Sequence, residues 1–148
     1  MLKKIIFTAF VAGLVFGAQE LAIKAKASSN SDANFEQAAD ESQLRVEECI
    51  QKDSSTVGMI ECINAEFAVQ DKLLNENYKK AMSVLNDENK KKLKDIQRKW
   101  VAYKEAKCPF VPPTGTLYRV EAADCYLQMT KERAKELAGV AADFEGNQ

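Results

Sequence analysis

No histidine occurs among the 148 residues. That removes the commonest general base and the commonest metal ligand from the chain. A Cys-x-x-Cys pair is also absent, so the usual redox motif is missing. The closest cysteine pair is 13 residues apart. Structural zinc sites normally bring their ligands in pairs two to four residues apart. There is no nucleophile elbow and no phosphate-binding glycine loop. No stretch shows sustained period-two alternation, which argues against a sheet. These absences disfavour an enzyme, and the sequence supports no catalytic residue, cofactor or metal.

One long apolar run is present, from Ile5 to Ala18, behind Lys3 and Lys4. Its length suits a signal-peptide core and falls short of the roughly 20 residues that span a bilayer. Ala25-Lys26-Ala27 offers small residues at the −3 and −1 positions. Residues 1–27 are therefore read as a signal peptide cleaved after Ala27, the alternative being an uncleaved anchor. The expected location is periplasmic or secreted, with no membrane contact after cleavage. Beyond Ala27 stand 17 of the 21 basic and 21 of the 22 acidic residues, a net charge near −4. That balance disfavours nucleic acid, whose binding needs basic surface. It mildly favours a cationic partner, although solubility alone accounts for so small a charge.

Residues 28–42 are polar and low in complexity and read as a disordered lead-in. The domain is placed at 43–142, with a frayed tail at 143–148. A short helix is expected over Gln43–Gln51. A second runs from Val57 to about Leu85, with Met59, Ile63, Phe67, Leu74, Tyr78, Ala81 and Leu85 on one stripe. Asn86-Asp87 breaks the pattern and can cap a third helix, Glu88–Lys107, with Leu93, Ile96, Trp100 and Tyr103 facing inward. Pro109, Pro112 and Pro113, the chain's three prolines, then enforce a loop. A fourth helix follows from Leu117 to Ala142, with Ala123, Tyr126, Leu127, Thr130, Ala134, Leu137 and Ala141 on its face. The fold class is all-α: a small antiparallel bundle of three main helices and a short N-terminal one.

Four cysteines in an exported chain imply two disulfides. Three pairings are open to Cys49, Cys62, Cys108 and Cys125. Cys49–Cys62 with Cys108–Cys125 is favoured, because each bond then closes one helix–turn–helix corner. All four would gather at one end of the bundle.

Several residues invite chemistry. Trp100 with Gln97 could form a binding surface, but Trp100 reads first as a core anchor. Glu66, Asp71, Arg133 and Glu136 read as inter-helix ion pairs and polar caps rather than acid–base groups. The lysines at 90–92 and 94 read as a solvated face. The loop between Cys108 and Cys125 is the best partner-binding candidate, through Lys107, Phe110, Tyr118 and Arg119. Aromatic and arginine residues are the usual interface anchors, and a disulfide at the loop base would limit the entropy lost on binding. The alternative is that Phe110 and Tyr118 plug the bundle end.

A longer pattern joins these pieces. Thr56-x-x-Met59-x-x-Cys62 follows Cys49; Glu66, Asp71, Leu74-Asn75 and Tyr78 come next. Gln97-x-x-Trp100-x-x-Tyr103-Lys104-x-x-x-Cys108 and Cys125-x4-Thr130-x-x-Arg133-x-x-Glu136-Leu137 complete it. The pattern resembles the LprI-type lysozyme-inhibitor family, small secreted or periplasmic bacterial domains, over about Glu47 to Leu137. Lys104 stands where that family usually has arginine, and Pro112-Pro113-Thr114-Gly115 replaces a more glycine-rich loop. The resemblance implies a binding module that inhibits lysozyme or a related cell-wall hydrolase, the partner's cleft carboxylates meeting Lys107 or Arg119. A structural or envelope-interaction protein without an enzyme target is the alternative.

Overall fold

The computed structural model describes residues 37, 41–110 and 115–146. The proposed signal peptide lies outside them, as does most of the proposed lead-in. By compactness the chain divides between Ala38 and Ala39, and the unit from Ala39 onward carries the fold. It is all-helical among the described residues. Helix α1 covers 41–50, α2 Thr56–Val84, α3 Asp87–Lys107 and α4 Tyr118–Glu145.

The helix starts are written locally. Ser55 Oγ accepts the Gly58 N–H at 3.0 Å and opens α2, a side-chain cap for an otherwise unpaired donor. Gly58 cannot carry a side chain here: an added Cβ would lie 2.6 Å from the Asp53 carbonyl oxygen. Asn86 Oδ1 accepts the Asn89 N–H at 2.9 Å and opens α3. Asp87 and Glu88 in its first turn and Lys104 and Lys107 in its last match the helix dipole. Gly115 takes the left-handed conformation, φ 70°, just before α4, a region glycine enters without a Cβ penalty.

α2 and α4 pack closely along their lengths and run in the same direction. Phe67 and Tyr126 meet at one level, both within 6 Å of Lys104 Nζ. Further along, the Asn77 side-chain amide donates to the Ala134 carbonyl at 2.9 Å. Lys80 then reaches Glu145 at 3.3 Å. α3 runs antiparallel to both and is held through long side chains. The apolar core has two parts. Leu74, Ala81, Leu85, Leu93, Ala134, Leu137 and Ala141 form the larger. Val46, Ile63 and Leu127 form the smaller, which fixes α1. Between them along α2 and α4 lies a buried polar layer of Glu66, Gln70, Thr130 and Arg133.

Four details differ from the expectations above. Glu41 and Ser42, assigned to the lead-in, belong to α1, and Ser42 is fully buried. Asp143 to Glu145, assigned to the tail, continue α4. Ile96 and Tyr103, expected inside, are 50% and 57% exposed. α3 instead turns Leu93, Gln97, Trp100 and Lys104 toward its neighbours, a face rotated by one position because it carries two polar residues that find partners inside.

Candidate functional site

The disulfides are Cys49–Cys62 and Cys108–Cys125, the pairing favoured from the sequence. The first ties the end of α1 to the second turn of α2; the second ties the end of α3 to the second turn of α4. Since α2 and α4 start at the same end and α3 finishes there, both bonds brace one end of the bundle. Cys108 is fully buried, and its sulfur packs against Met129 Sδ at 3.6 Å.

The four candidate residues flank this braced end. Lys107 closes α3 and places its ammonium 5.7 Å from the centre of the exposed Tyr103 ring. Phe110 is 91% exposed, so it does not plug the bundle. Its N–H donates to the Lys107 carbonyl at 3.0 Å, which holds the two residues in one turn. Tyr118 and Arg119 are exposed in the first turn of α4. Residues 111–114 between the two pairs lie outside the described residues.

A second feature takes in Trp100 and Gln97, the pair that the sequence offered as a binding surface. α2 and α3 enclose an open groove of about 490 Å³. Its walls include Asp71, Asn75 and Tyr78, one heptad of α2, and Gln97, Trp100 and Lys104 of α3. The signal was available: these residues belong to the long pattern quoted above, and several are polar at helix spacings that place them on one face. At the groove's inner end Lys104 is 7% exposed. Its ammonium lies 4.9 Å from the Trp100 ring centre, 5.4 Å from Phe67 and 5.8 Å from Tyr126. One ring comes from each of α2, α3 and α4, a cation–π cage assembled by the tertiary fold.

The polar layer holds this wall in place. Arg133 Nε donates to Gln97 Oε1 at 2.9 Å, and its Nη1 donates to Glu136 Oε2 at 2.6 Å. Its guanidinium carbon lies 6.0 Å from the Trp100 ring centre. Trp100 is thus half-buried beside two cations, packed against the larger core. Deeper in, Glu66 receives two hydrogen bonds from Arg45 at 2.8 Å and one from Gln70 at 2.7 Å. Ser42 Oγ faces the same carboxylate without meeting hydrogen-bond geometry. Burial pushes the Glu66 carboxyl up, but the donors and the Arg45 charge outweigh it and bring the pKa to about 2. Of the four charged residues weighed above, Glu66 makes an inter-helix pair and Arg133 and Glu136 pair within α4. Asp71 instead accepts the Asn75 amide at the groove rim, at 3.1 Å.

Among the described residues, no cluster of acidic or cysteine side chains is placed to hold a metal. No helix there is long and apolar enough to cross a membrane. Fold and site define a small helical domain, stapled by two disulfides, with exposed aromatic and cationic groups at the stapled end among others. Residues 47–137 match the family model described as lysozyme inhibitor LprI, and the chain belongs to that family. It is a family of inhibitors rather than of enzymes. No curated relative matches the chain, and no solved structure does.

Proposed function

We propose that this protein is an exported binding module that inhibits lysozyme, or a related cell-wall hydrolase, by occluding the hydrolase's cleft. Family membership over 47–137 carries the reading. The two disulfides support an oxidising compartment, in keeping with export to the periplasm or beyond. The surface we assign to the contact is the braced end. Phe110, held beside Lys107 by a backbone bond, is a large apolar ring left in solvent. Such a residue supplies the apolar anchor of an interface. Lys107 and Arg119 flank it with positive charge, suited to the acidic residues of a glycosidase cleft.

The test uses purified, oxidised protein beginning at Ser28, incubated with c-type and g-type lysozymes while lysis of bacterial cell walls is followed. Inhibition is expected at micromolar excess, and undiminished lysis would sink the proposal. A triple substitution of Phe110, Tyr118 and Arg119 by alanine is expected to abolish inhibition with helicity unchanged. Full inhibition by that variant would move the contact elsewhere on the domain.

A further inference from the structure

The α2–α3 groove has an electrostatic property that the lysozyme reading does not use. Lys104 is more than nine-tenths buried. Its charge is met by three ring faces, but no hydrogen-bond or ion-pair partner engages its ammonium among the described residues. Ring faces satisfy charge and leave the three N–H donors unspent. The ammonium itself keeps contact with solvent at the groove, so those donors are open to a ligand there. Lys104 lines the groove, and Lys94 and Arg98 stand along the same wall. Asp71 is the one carboxylate opposing them there, and it already accepts the Asn75 amide.

The remaining wall groups narrow the ligand class. Gln97 accepts from Arg133 through Oε1, so its amide N–H₂ remains to donate. Asn75 spends its N–H₂ on the Asp71 carbonyl and carboxylate, so its Oδ1 remains to accept. Tyr78 adds a hydroxyl, and Trp100 and Tyr78 are half-buried aromatics. Single donors and acceptors lining one groove, beside aromatic carbon, suit the paired hydroxyls and C–H faces of a sugar ring. A volume of about 490 Å³ is of the size that holds small ligands.

We infer that the groove between α2 and α3 is a binding site for a carboxylated saccharide of one or two rings, with Lys104 receiving the carboxylate. The inference is separate from lysozyme inhibition, which is assigned to Lys107, Phe110, Tyr118 and Arg119 at the braced end.

The sole tryptophan lies in this groove, so its fluorescence reports occupancy directly. The oxidised protein is titrated with N-acetylmuramic acid, glucuronic acid, neutral N-acetylglucosamine and a hexaglutamate peptide, by calorimetry and by Trp100 emission. Saturable binding of the two acidic sugars is expected, with a matching emission change and affinity about tenfold or more above the neutral sugar. Lys104→Met is expected to remove that preference at unchanged helicity, and Lys104→Arg to keep it. The inference is overturned by equal binding of acidic and neutral sugars or by no binding. Calorimetric heat without an emission change, or an unaltered Lys104→Met variant, overturns it too. Saturation by hexaglutamate alone would reassign the groove to an acidic protein segment. Lysozyme inhibition measured on the same Lys104→Met sample is expected to be unchanged, which separates failure of this site from failure of the inhibitor reading.

Discussion

Arg45 of α1 grips Glu66 of α2 through two parallel hydrogen bonds of 2.8 Å, one from Nε and one from Nη2. The carboxylate is almost wholly buried, while the guanidinium is 48% exposed. α1 depends on α2 for its place in the fold. It is held by the Cys49–Cys62 bond, by Val46 against Ile63 and Leu127, and by this fork. The fork is therefore a pH-dependent part of the attachment.

Glu66 has a folded-state pKa of about 2, below its ordinary 4.5. A lowered carboxyl pKa contributes stability that is complete above the ordinary value and lost as pH falls toward the folded one. The shift corresponds to about 2–3 kcal/mol after allowing for the half-exposed arginine. Denaturant midpoints should therefore stay flat from neutral pH down to about 5 and fall between about 4.5 and 2. Arg45→Ala should lower stability at neutral pH by about 2 kcal/mol, because it leaves a buried carboxylate without its cation. It should also shrink the acid-dependent loss. An acid limb as steep in Arg45→Ala as in the unaltered protein would place the titrating group elsewhere.

The Cys108–Cys125 bond closes a loop of sequence separation 17. In the chain-entropy model a loop of that size contributes about 3 kcal/mol. The paired substitution Cys108→Ala with Cys125→Ala should cost about that much in urea unfolding. Hydrogen exchange should rise first near Tyr118 to Ala123. Amides around Ala81 and Leu137, in the larger core at the other end, should keep their protection. Uniform loss of protection along α4 would show that the bond supports the whole bundle rather than one end.

The stripes of α2 and α4 were legible because those helices lie against each other along apolar positions. Ile63, Leu74, Ala81 and Leu85 face Leu127, Ala134, Leu137 and Ala141 as the periodicity requires. The disulfide pairing was legible for a related reason: helix order and short connections bring only certain cysteines to one corner. α3 was misread by one position. Leu93, Ile96, Trp100 and Tyr103 form a plausible apolar stripe, but the buried face is Leu93, Gln97, Trp100 and Lys104. Two of those are polar, and their partners, Arg133 and the rings of Phe67 and Tyr126, come from other helices. Periodicity within one helix carries no record of such partners, so the groove they build shows in the sequence only as the Gln97–Trp100 pair and not as a wall shared by two helices. Substitutions separate the two faces. Leu93→Ala should cost about 2–4 kcal/mol through the cavity it leaves. Ile96→Ala should stay within about 0.5 kcal/mol, as expected for an exposed site. Equal costs at 93 and 96 would restore the stripe read from the sequence.

Lys104 provides a last discrimination, between a residue kept for stability and one kept for binding. Three ring faces at 4.9 to 5.8 Å stabilise its charge, each by about 0.5–2 kcal/mol at most. Against that stands the partial desolvation of an ammonium that keeps only a narrow contact with solvent. Methionine fills a similar volume, brings no charge and makes favourable contacts with aromatic rings. Lys104→Met should therefore leave stability unchanged or raise it by about 1 kcal/mol, a gain typical where a functional site had been suboptimal for folding. Thermal and denaturant unfolding of the oxidised protein measure it. A loss of more than about 2 kcal/mol would instead make the cage a structural fastening, since only a net favourable cation–π cage could lose so much. The stability measurement thus bears on the groove before any ligand is added.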